Sequence, residues 1–309
     1  MRLAPALCAL ALLAGGCGVG EGEPSDGDVT LRVTRDFGVE PLREEVEEGA
    51  REGDTVMRLL QRSYEVDTRY GGGFVQEIDG VGGGREDGRR VDWFYYVNGI
   101  EAPLGAVERE VASGDRVWWD HHTWEAAQRI PAVVGSYPEP FATGTEGKRF
   151  PVRLVCAGAV ERSCDEVATR LQEAGVEQLS RAVIEQSPGE EVLRVLVGRW
   201  ADVRRDAVAR GLERGPGTSG VFARPAPSGT ELMLLDTAGR PVRTLRAGAG
   251  LVAATAVQAQ APTWIVTGTD DVGVAAAAAA LAEERLEERF AVAVEDGKDV
   301  PVPITEAAP

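Results

Sequence analysis

The chain has 309 residues, 43% of them hydrophobic and 27% charged, which is enough for two ordinary globular domains and excludes disorder throughout or a multi-span membrane protein. Fifty acidic residues against thirty-three basic ones give a formal net charge of −17. Because an acidic surface repels phosphate backbones, we expect no nucleic-acid partner.

Residues 1–16 have the organisation of a secretory signal peptide. Arg2 precedes an uncharged apolar run from Leu3 to Leu13, and this run is too short to span a bilayer as a helix. Ala14, Gly15 and Gly16 then lead directly to Cys17, which resembles a bacterial lipobox with its leucine displaced by one position. We expect Cys17 to carry a lipid that holds the protein on the outer side of the cytoplasmic membrane; cleavage by ordinary signal peptidase is the alternative.

Residues 17–28 are polar and acidic and are expected to form a tether. Cleavage before Cys17 would remove Cys8, so Cys156 and Cys164 would be the two cysteines left without a lipid. An even pair in an exported chain predicts a disulfide, here between the end of a strand and the first turn of the next helix. Two independent buried thiols are the alternative.

Residues 29–130 predict a first domain. Val29 to Arg35 alternate apolar and polar side chains as a half-buried strand does, and Asp54-Thr55 can cap a helix that begins at Val56. The aromatic strand that starts at Asp92 is stopped by Asn98-Gly99, a strong hairpin signal. This order favours one helix against a small sheet.

Several motifs follow one another along this part of the chain: Asp54-Thr55-Val56, Tyr70-Gly71-Gly72-Gly73, Trp93 to Gly99, Gly114-Asp115 and Trp118-Trp119. With these motifs, residues 29–124 resemble the transcobalamin-like C-terminal domain family, many members of which have no known function. The resemblance implies a β-grasp-like fold, one helix on a small mixed sheet. In the vitamin carriers of this family such a domain covers one face of cobalamin, so a cobalamin-like ligand is implied, and no other cofactor is expected.

The remaining chain predicts an α/β domain, so the whole protein is expected to be α+β. Residues 131–150 are rich in proline and glycine and read as a linker. Residues 151–295 alternate strand and helix patterns and contain a weak internal duplication, in which strands ending at Gly198 and Gly268 precede similar segments. We therefore expect two similar halves, followed by a tail over residues 296–309.

Few residues suggest chemistry. His121 and His122 are adjacent, so on a strand they point to opposite faces and cannot chelate one ion together. The segment from Gly248 to Ala253, with Asp270 downstream, loosely fits a dinucleotide fingerprint, but a glycine-initiated packing helix explains the same residues. No catalytic residue and no metal site are therefore expected.

Aromatic residues are the most informative group. Trp93 and Tyr95 lie on one face of their strand, while Tyr96 lies on the other. One set can pack on the helix, and the other must meet a second domain, a partner or a flat ligand. The candidate ligand-binding residues are Trp93, Tyr95, Tyr96, Trp118, Trp119 and Trp124.

These observations favour a non-catalytic lipoprotein of the cell envelope that binds a small ligand or a protein partner through an aromatic face. The second hypothesis is a structural lipoprotein that helps to assemble an envelope complex, with the aromatic face covered by the second domain or by a partner.

Overall fold

The computed structural model describes residues 24–145, 147–184, 191–257 and 260–305. The fold is α+β, as expected, with two seven-stranded sheets and two three-stranded sheets. The predicted signal peptide, residues 1–16, and Cys17 lie outside the described residues.

One seven-stranded sheet, named here the N-terminal sheet, is built by β1, β2, β3 and β7 to β10, and β4 to β6 form a small separate sheet. In chain order this part contains β1 (Pro24–Arg35), β2 (Glu40–Pro41), β3 (Val46–Arg51), α1 (Val56–Ser63), β4 (Val66–Arg69), a 3-10 turn (Tyr70–Gly72), β5 (Phe74–Ile78), β6 (Val81–Gly82), β7 (Gly84–Glu86), β8 (Arg89–Val97), β9 (Ile100–Glu101) and β10 (Arg116–Thr123).

The N-terminal sheet is mixed, because β1 and β10 run parallel while its other pairs are antiparallel. The main strand order is β2-β1-β10-β8-β7. Thr55 caps α1 by accepting a hydrogen bond from the Arg58 backbone N–H, as the sequence predicts. Val56, Leu59 and Leu60 of α1 are buried against one face of the sheet, so the opposite face is left for another layer.

The first β-strand begins earlier in the chain than the sequence predicts. The tether predicted over residues 17–28 is too long, because β1 begins at Pro24 and residues 24–28 lie beside β3. A backbone can extend a ladder whatever its side chains are, so composition alone does not mark this strand start.

Residues 131–150, predicted as a linker, are largely built into the core. Val133, Val134, Tyr137 and Phe141 are buried. The Val133 N–H donates to the Gly99 carbonyl at 2.9 Å, and the Val134 N–H donates to the Phe290 carbonyl at 3.2 Å. This segment therefore joins the two large sheets physically as well as in sequence.

The other seven-stranded sheet, the C-terminal sheet, has the order β12-β11-β13-β18-β17-β19-β20, and β14 to β16 form a separate sheet. Its part of the chain contains β11 (Val152–Ala157), α2 (Glu161–Glu173), β12 (Leu179–Ala182), β13 (Leu193–Arg199), α3 (Trp200–Val203), a 3-10 turn (Ala209–Arg214), α4 (Pro216–Ser219), β14 (Ala223–Pro225), β15 (Leu232–Leu235), β16 (Pro241–Leu245), β17 (Gly250–Thr255), β18 (Thr263–Gly268), α5 (Asp271–Ala279), α6 (Glu283–Leu286), β19 (Ala291–Glu295) and β20 (Lys298–Val302).

The two halves predicted for this part are only partly alike. β13 and β18 are parallel neighbours, with Val197 opposite Val266. The next strands diverge, because β14 joins the small sheet while β19 lies in the large sheet, antiparallel to β17. The predicted tail over 296–309 also needs correction, since β20 pairs with β19 and buries Val302.

A shared hydrophobic core lies where the two large sheets meet. It combines Phe37, Tyr96 and Trp118 of the N-terminal sheet and its loops with Phe222 and Phe290 from the C-terminal part. Two further cores lie under α1 and under α2 and α5. The junction between the sheets is therefore apolar and packed.

Candidate functional site

The aromatic side chains of β8 and β10 separate onto two faces, as the alternation predicts. Trp93 and Trp119 belong to the core under α1, and Tyr95 packs against it. The Tyr95 and Trp119 rings stack with 4.8 Å between centroids, and the Tyr95 hydroxyl donates to the Leu104 carbonyl at 2.5 Å. Burial raises the pKa of Tyr95 to about 12. This face is used inside the N-terminal part of the chain.

The opposite face is covered by the C-terminal part. Phe290 sits among the rings of Tyr96, Trp118 and Phe37, with centroid distances of 5.7, 5.1 and 5.2 Å. The arrangements are edge-to-face, a favourable geometry for aromatic pairs. The rings that could not pack on α1 therefore meet the second domain, which was one of the alternatives open from the sequence.

The six candidate ligand-binding aromatics do not form an open surface in this structure. Two are half-buried and four are buried: Tyr95 and Trp124 in the first group, Trp93, Tyr96, Trp118 and Trp119 in the second. The Arg90 guanidinium lies 4.1 Å from the centre of the Trp124 ring. Their role toward a ligand stays a prediction.

A buried carboxylate organises the junction behind these rings. Asp120 is fully buried and accepts hydrogen bonds from the Thr34 hydroxyl at 2.5 Å and from the backbone N–H groups of Phe37 and Gly38 at 3.0 and 2.9 Å. Nδ1 of His122 lies 2.7 Å from Oδ1 of the same carboxylate, the oxygen that also accepts from Phe37. The Trp118 indole N–H donates to the Thr34 hydroxyl at 2.8 Å, which extends the network to the shared core.

The two histidines point to opposite faces, as predicted. His122 lies in the junction and stacks on Phe94, with 4.5 Å between ring centroids. His121 lies on the other face against Trp93, and its Nε2 is 3.2 Å from the Gly82 carbonyl. Burial lowers the pKa of His121. Both imidazoles are buried and have neighbours of their own.

The predicted disulfide is present. Cys156 lies in β11 and Cys164 in the first turn of α2, and the two are bonded with their Cα atoms 6.0 Å apart. The disulfide joins β11 to α2 at the position expected from the sequence.

The segment with a loose dinucleotide fingerprint is a strand, not the start of a helix. Gly250 opens β17, and a Cβ at this position would lie 2.5 Å from the Gly273 carbonyl of α5. Asp270 caps α5, accepting from the Gly273 N–H at 2.9 Å and from the Gly248 N–H at 2.8 Å. The glycine allows close helix packing, so the segment has a structural explanation.

A cleft of about 640 Å³ opens between the two parts of the chain, and we call it the inter-sheet cleft. Its walls are the β9 strand, the segment that follows β10, α4 and the segment after β17. Representative lining residues are Ile100, Glu101, Arg129, Thr218, Val257 and Gln260. Its size falls within the range of small-molecule sites.

An ion pair crosses one wall of the cleft. Nε of Arg129 lies 2.9 Å from the Glu101 carboxylate, and the Glu101 side chain is 12% exposed against 54% for Arg129. Burial raises the pKa of Glu101, and the Arg129 guanidinium opposes that rise. The pair places one half-buried acidic group and one accessible cation on the wall of the cleft.

Sequence reasoning missed this cleft. Glu101 and Arg129 lie in different segments, and Thr218 and Val257 approach them only after the second sheet has packed. The one local signal was the Asn98-Gly99 turn, which places β9 at the edge of the N-terminal sheet.

The described residues contain no group of three or more histidine, cysteine, aspartate or glutamate side chains placed to hold a metal ion. Within the same ranges, no helix is both long and apolar enough to cross a membrane.

The family comparison concerns the N-terminal part of the chain. Residues 53–123 match a family described as a domain of unknown function, DUF4430. No curated protein matches the chain. A protein of Ruminococcus gnavus ATCC 29149, described as a candidate metal-binding protein, is 14% identical over 32% of this chain and 98% of its own, with a TM-score of 0.25.

Haptocorrin in complex with Cbi is also similar, at 14% identity and a TM-score of 0.26. The match covers 34% of this chain and 27% of haptocorrin, so the chain spans about a quarter of that protein. At these scores neither structure carries an argument about ligand or activity. Residues 53–123 thus contain a segment similar to DUF4430, inside the region where the sequence resembles the transcobalamin-like family.

Proposed function

We propose that this protein is a non-catalytic binding protein of the cell envelope, lipid-anchored at Cys17 on the outer side of the cytoplasmic membrane, with its ligand site in the inter-sheet cleft. The observation that carries the proposal is the cleft itself, whose walls come from both parts of the chain. A ligand held there would contact Arg129 and the polar side chains of Thr218 and Gln260.

The aromatic junction gives this cleft a stable shape. Phe290 and Trp118 lock the two sheets together, so the walls do not have to be assembled when a ligand binds. A preformed site loses less conformational freedom on binding than a site that must be ordered first. In this proposal the candidate aromatics act on the ligand indirectly, by holding the walls of its site.

Cobalamin-like compounds are the first ligands to test, because of the sequence resemblance over residues 29–124. Equilibrium dialysis of the mature chain against cobalamin and cobinamide, followed by corrinoid absorbance, measures binding directly. Saturable binding supports the corrinoid version. Absence of binding up to millimolar concentration removes that version and leaves other small ligands to a wider screen.

A charge-removing variant tests whether the cleft is the site. We expect Arg129→Ala to weaken binding about tenfold, because a charge-assisted hydrogen bond to the ligand is lost. Arg246→Ala is the matched control, since Arg246 also pairs with a glutamate, Glu231, at 3.0 Å on an exposed surface outside the cleft lining. Equal affinity in both variants would place the ligand elsewhere.

The second candidate function is assembly of an envelope complex without a small ligand. The covered aromatic face favours it, because rings that a ligand could have used are packed against Phe222 and Phe290. Pull-down of the tagged, anchored protein from the membrane fraction distinguishes the two. A reproducible stoichiometric partner supports assembly, and an empty pull-down contradicts it.

A further inference from the structure

We propose that an exposed apolar corner of the N-terminal part inserts into the lipid leaflet that holds the Cys17 anchor. The corner, defined as Tyr70, Phe74, Leu104 and Val107, lies outside the inter-sheet cleft. The inference rests on the lipid anchor of the proposed function and adds a second, noncovalent contact with the membrane.

The four side chains lie on two neighbouring loops. Among the described residues nine large hydrophobic side chains are exposed, and these four account for nearly half of them, with exposures of 88%, 37%, 46% and 41% in chain order. Tyr70 and Phe74 contact each other, with 6.3 Å between ring centroids. The two loops touch at their backbones, because a Cβ on Gly105 would lie 3.5 Å from the Gly73 carbonyl.

The backbone holds Tyr70 outward at an energetic cost. Tyr70 has a φ of 54°, a left-handed conformation that a bulky residue rarely adopts. Gly71 and Gly72 continue the turn at φ 74° and 96°. Residues held in sparsely populated backbone conformations cluster at functional sites, including sites that bind a ligand.

The corner lies at the end of the N-terminal sheet where the chain enters. Pro24, the first described residue, is paired with Arg51, just before α1. The loop that carries Leu104 and Val107 is bound to the start of the same helix, since the Met57 N–H donates to the Ala106 carbonyl at 2.9 Å. The chain entry and the loop of the corner therefore both connect to the segment at the start of α1.

The short stretch of chain between Cys17 and the entry limits the distance between this end of the sheet and the membrane. Six residues separate Cys17 from Pro24. Even fully extended, this stretch reaches at most about 25 Å. A lipid attached to Cys17 would hold the entry end of the sheet within that distance of the bilayer.

Charge determines which lipids the corner fits. Exposed Arg58 and Arg69 lie on the neighbouring elements together with exposed Glu108 and Glu110, so no basic patch surrounds the corner. The protein as a whole carries −17 charges. Insertion would thus depend on aromatic and aliphatic area, and would not require anionic lipid.

The test places a fluorescent reporter at the corner. The mature chain is coupled through Cys17 to a maleimide lipid in phosphatidylcholine vesicles, with and without bromine in the acyl chains. Tyr70→Trp is compared with Val272→Trp, a control on α5 at a position that is also largely exposed, 69% for Val272 against 88% for Tyr70. The emission of the six native tryptophans is subtracted by using the unsubstituted chain.

We expect brominated lipid to lower the added emission of Tyr70→Trp about twofold and to leave that of Val272→Trp unchanged. Adding Phe74→Asp and Leu104→Asp should abolish this quenching while circular dichroism stays unchanged. Unquenched emission from Tyr70→Trp on vesicles that carry the protein overturns the proposal, as does equal quenching at both positions.

The vesicle result is separate from the anchor itself. Because maleimide coupling replaces cellular lipidation, a chain that is not lipidated in cells would still show quenching if the corner inserts. Incorporation of labelled palmitate in cells, compared with a Cys17→Ser chain, tests the anchor. Failure of the anchor and failure of the corner can therefore be told apart.

Discussion

At the scale of a single residue, Asp120 orders the N-terminal side of the junction between the two sheets. Its carboxylate is fully buried and is satisfied by Thr34, by two backbone N–H groups of the turn at Phe37 and Gly38, and by contact with His122. A buried charge is tolerated because these donors replace the water it loses. The carboxylate thereby holds the Phe37 ring in the shared core.

Removal of this carboxylate should destabilise the fold strongly. We expect Asp120→Ala to lower the free energy of unfolding by about 3–5 kcal/mol, because several buried donors lose their acceptor. Urea unfolding followed by circular dichroism measures the change. Asp67→Ala, at an exposed aspartate, is the control and should change stability by less than about 0.5 kcal/mol. A similar small loss in both variants would contradict the role given to Asp120.

His121 is a second single residue with a predictable effect: it should make the free energy of unfolding depend on pH. Burial lowers its pKa in the folded protein, so the unfolded chain binds a proton first as the pH falls. Stability attributable to His121 is present above pH about 6.5, the ordinary histidine pKa, and is lost as the pH falls from there toward the folded pKa. We expect unfolding free energies of His121→Gln to depend less on pH between pH about 7.5 and 5.5 than those of the unsubstituted chain. Parallel curves would show that His121 does not titrate differently on folding.

At the scale of elements, the β8–β9 hairpin positions one wall of the inter-sheet cleft. Asn98 and Gly99 both have positive φ, 54° and 74°, which suits a two-residue hairpin turn. The Asn98 side chain donates to Asp115 at 2.7 Å and to the Gly144 carbonyl at 2.8 Å, so the turn is tied to the start of β10. The residues that the sequence marked as a turn thus also align Glu101 with the segment beyond β10.

Gly99 should therefore be less tolerant than an ordinary turn glycine. A Cβ there would lie 2.8 Å from the Val133 carbonyl, in addition to the strain of φ 74°. We expect Gly99→Ala to cost about 2–4 kcal/mol, against about 1 kcal/mol for Gly88→Ala, since Gly88 has φ 81° but open space around it. Thermal unfolding of both variants checks this. Equal losses would mean that the approach of Val133 has no energetic weight.

At the scale of the molecule, the shared core should make the two sheets unfold together. Phe290, 4% exposed, contacts rings from the N-terminal part, so its loss affects both sides of the junction. We expect Phe290→Ala to reduce stability by about 3–5 kcal/mol, and exposed Phe74→Ala to reduce it by less than about 1 kcal/mol. Tryptophan fluorescence and far-UV circular dichroism of the unsubstituted chain should share one midpoint. Two separate midpoints would contradict a common core.

Local patterns carried much of the correct prediction. The Asn98-Gly99 turn, the Thr55 cap and the split of Trp93 and Tyr96 onto opposite faces depend on neighbouring residues, whose geometry the backbone fixes within a few positions. The Cys156–Cys164 staple is similar, because eight positions of separation leave few ways to join a strand to its helix.

Long-range packing decided the rest. The alternation on β8 and β10 was sufficient to predict a surplus aromatic face, because it places large rings on both sides of one sheet. Three features emerged only from the folded chain: Phe222 and Phe290 cover that face, β20 continues the C-terminal sheet, and Glu101 and Arg129 line a cleft with α4. The hydrophobic effect is non-directional, so an apolar face indicates how much area must be buried but not which distant segment buries it.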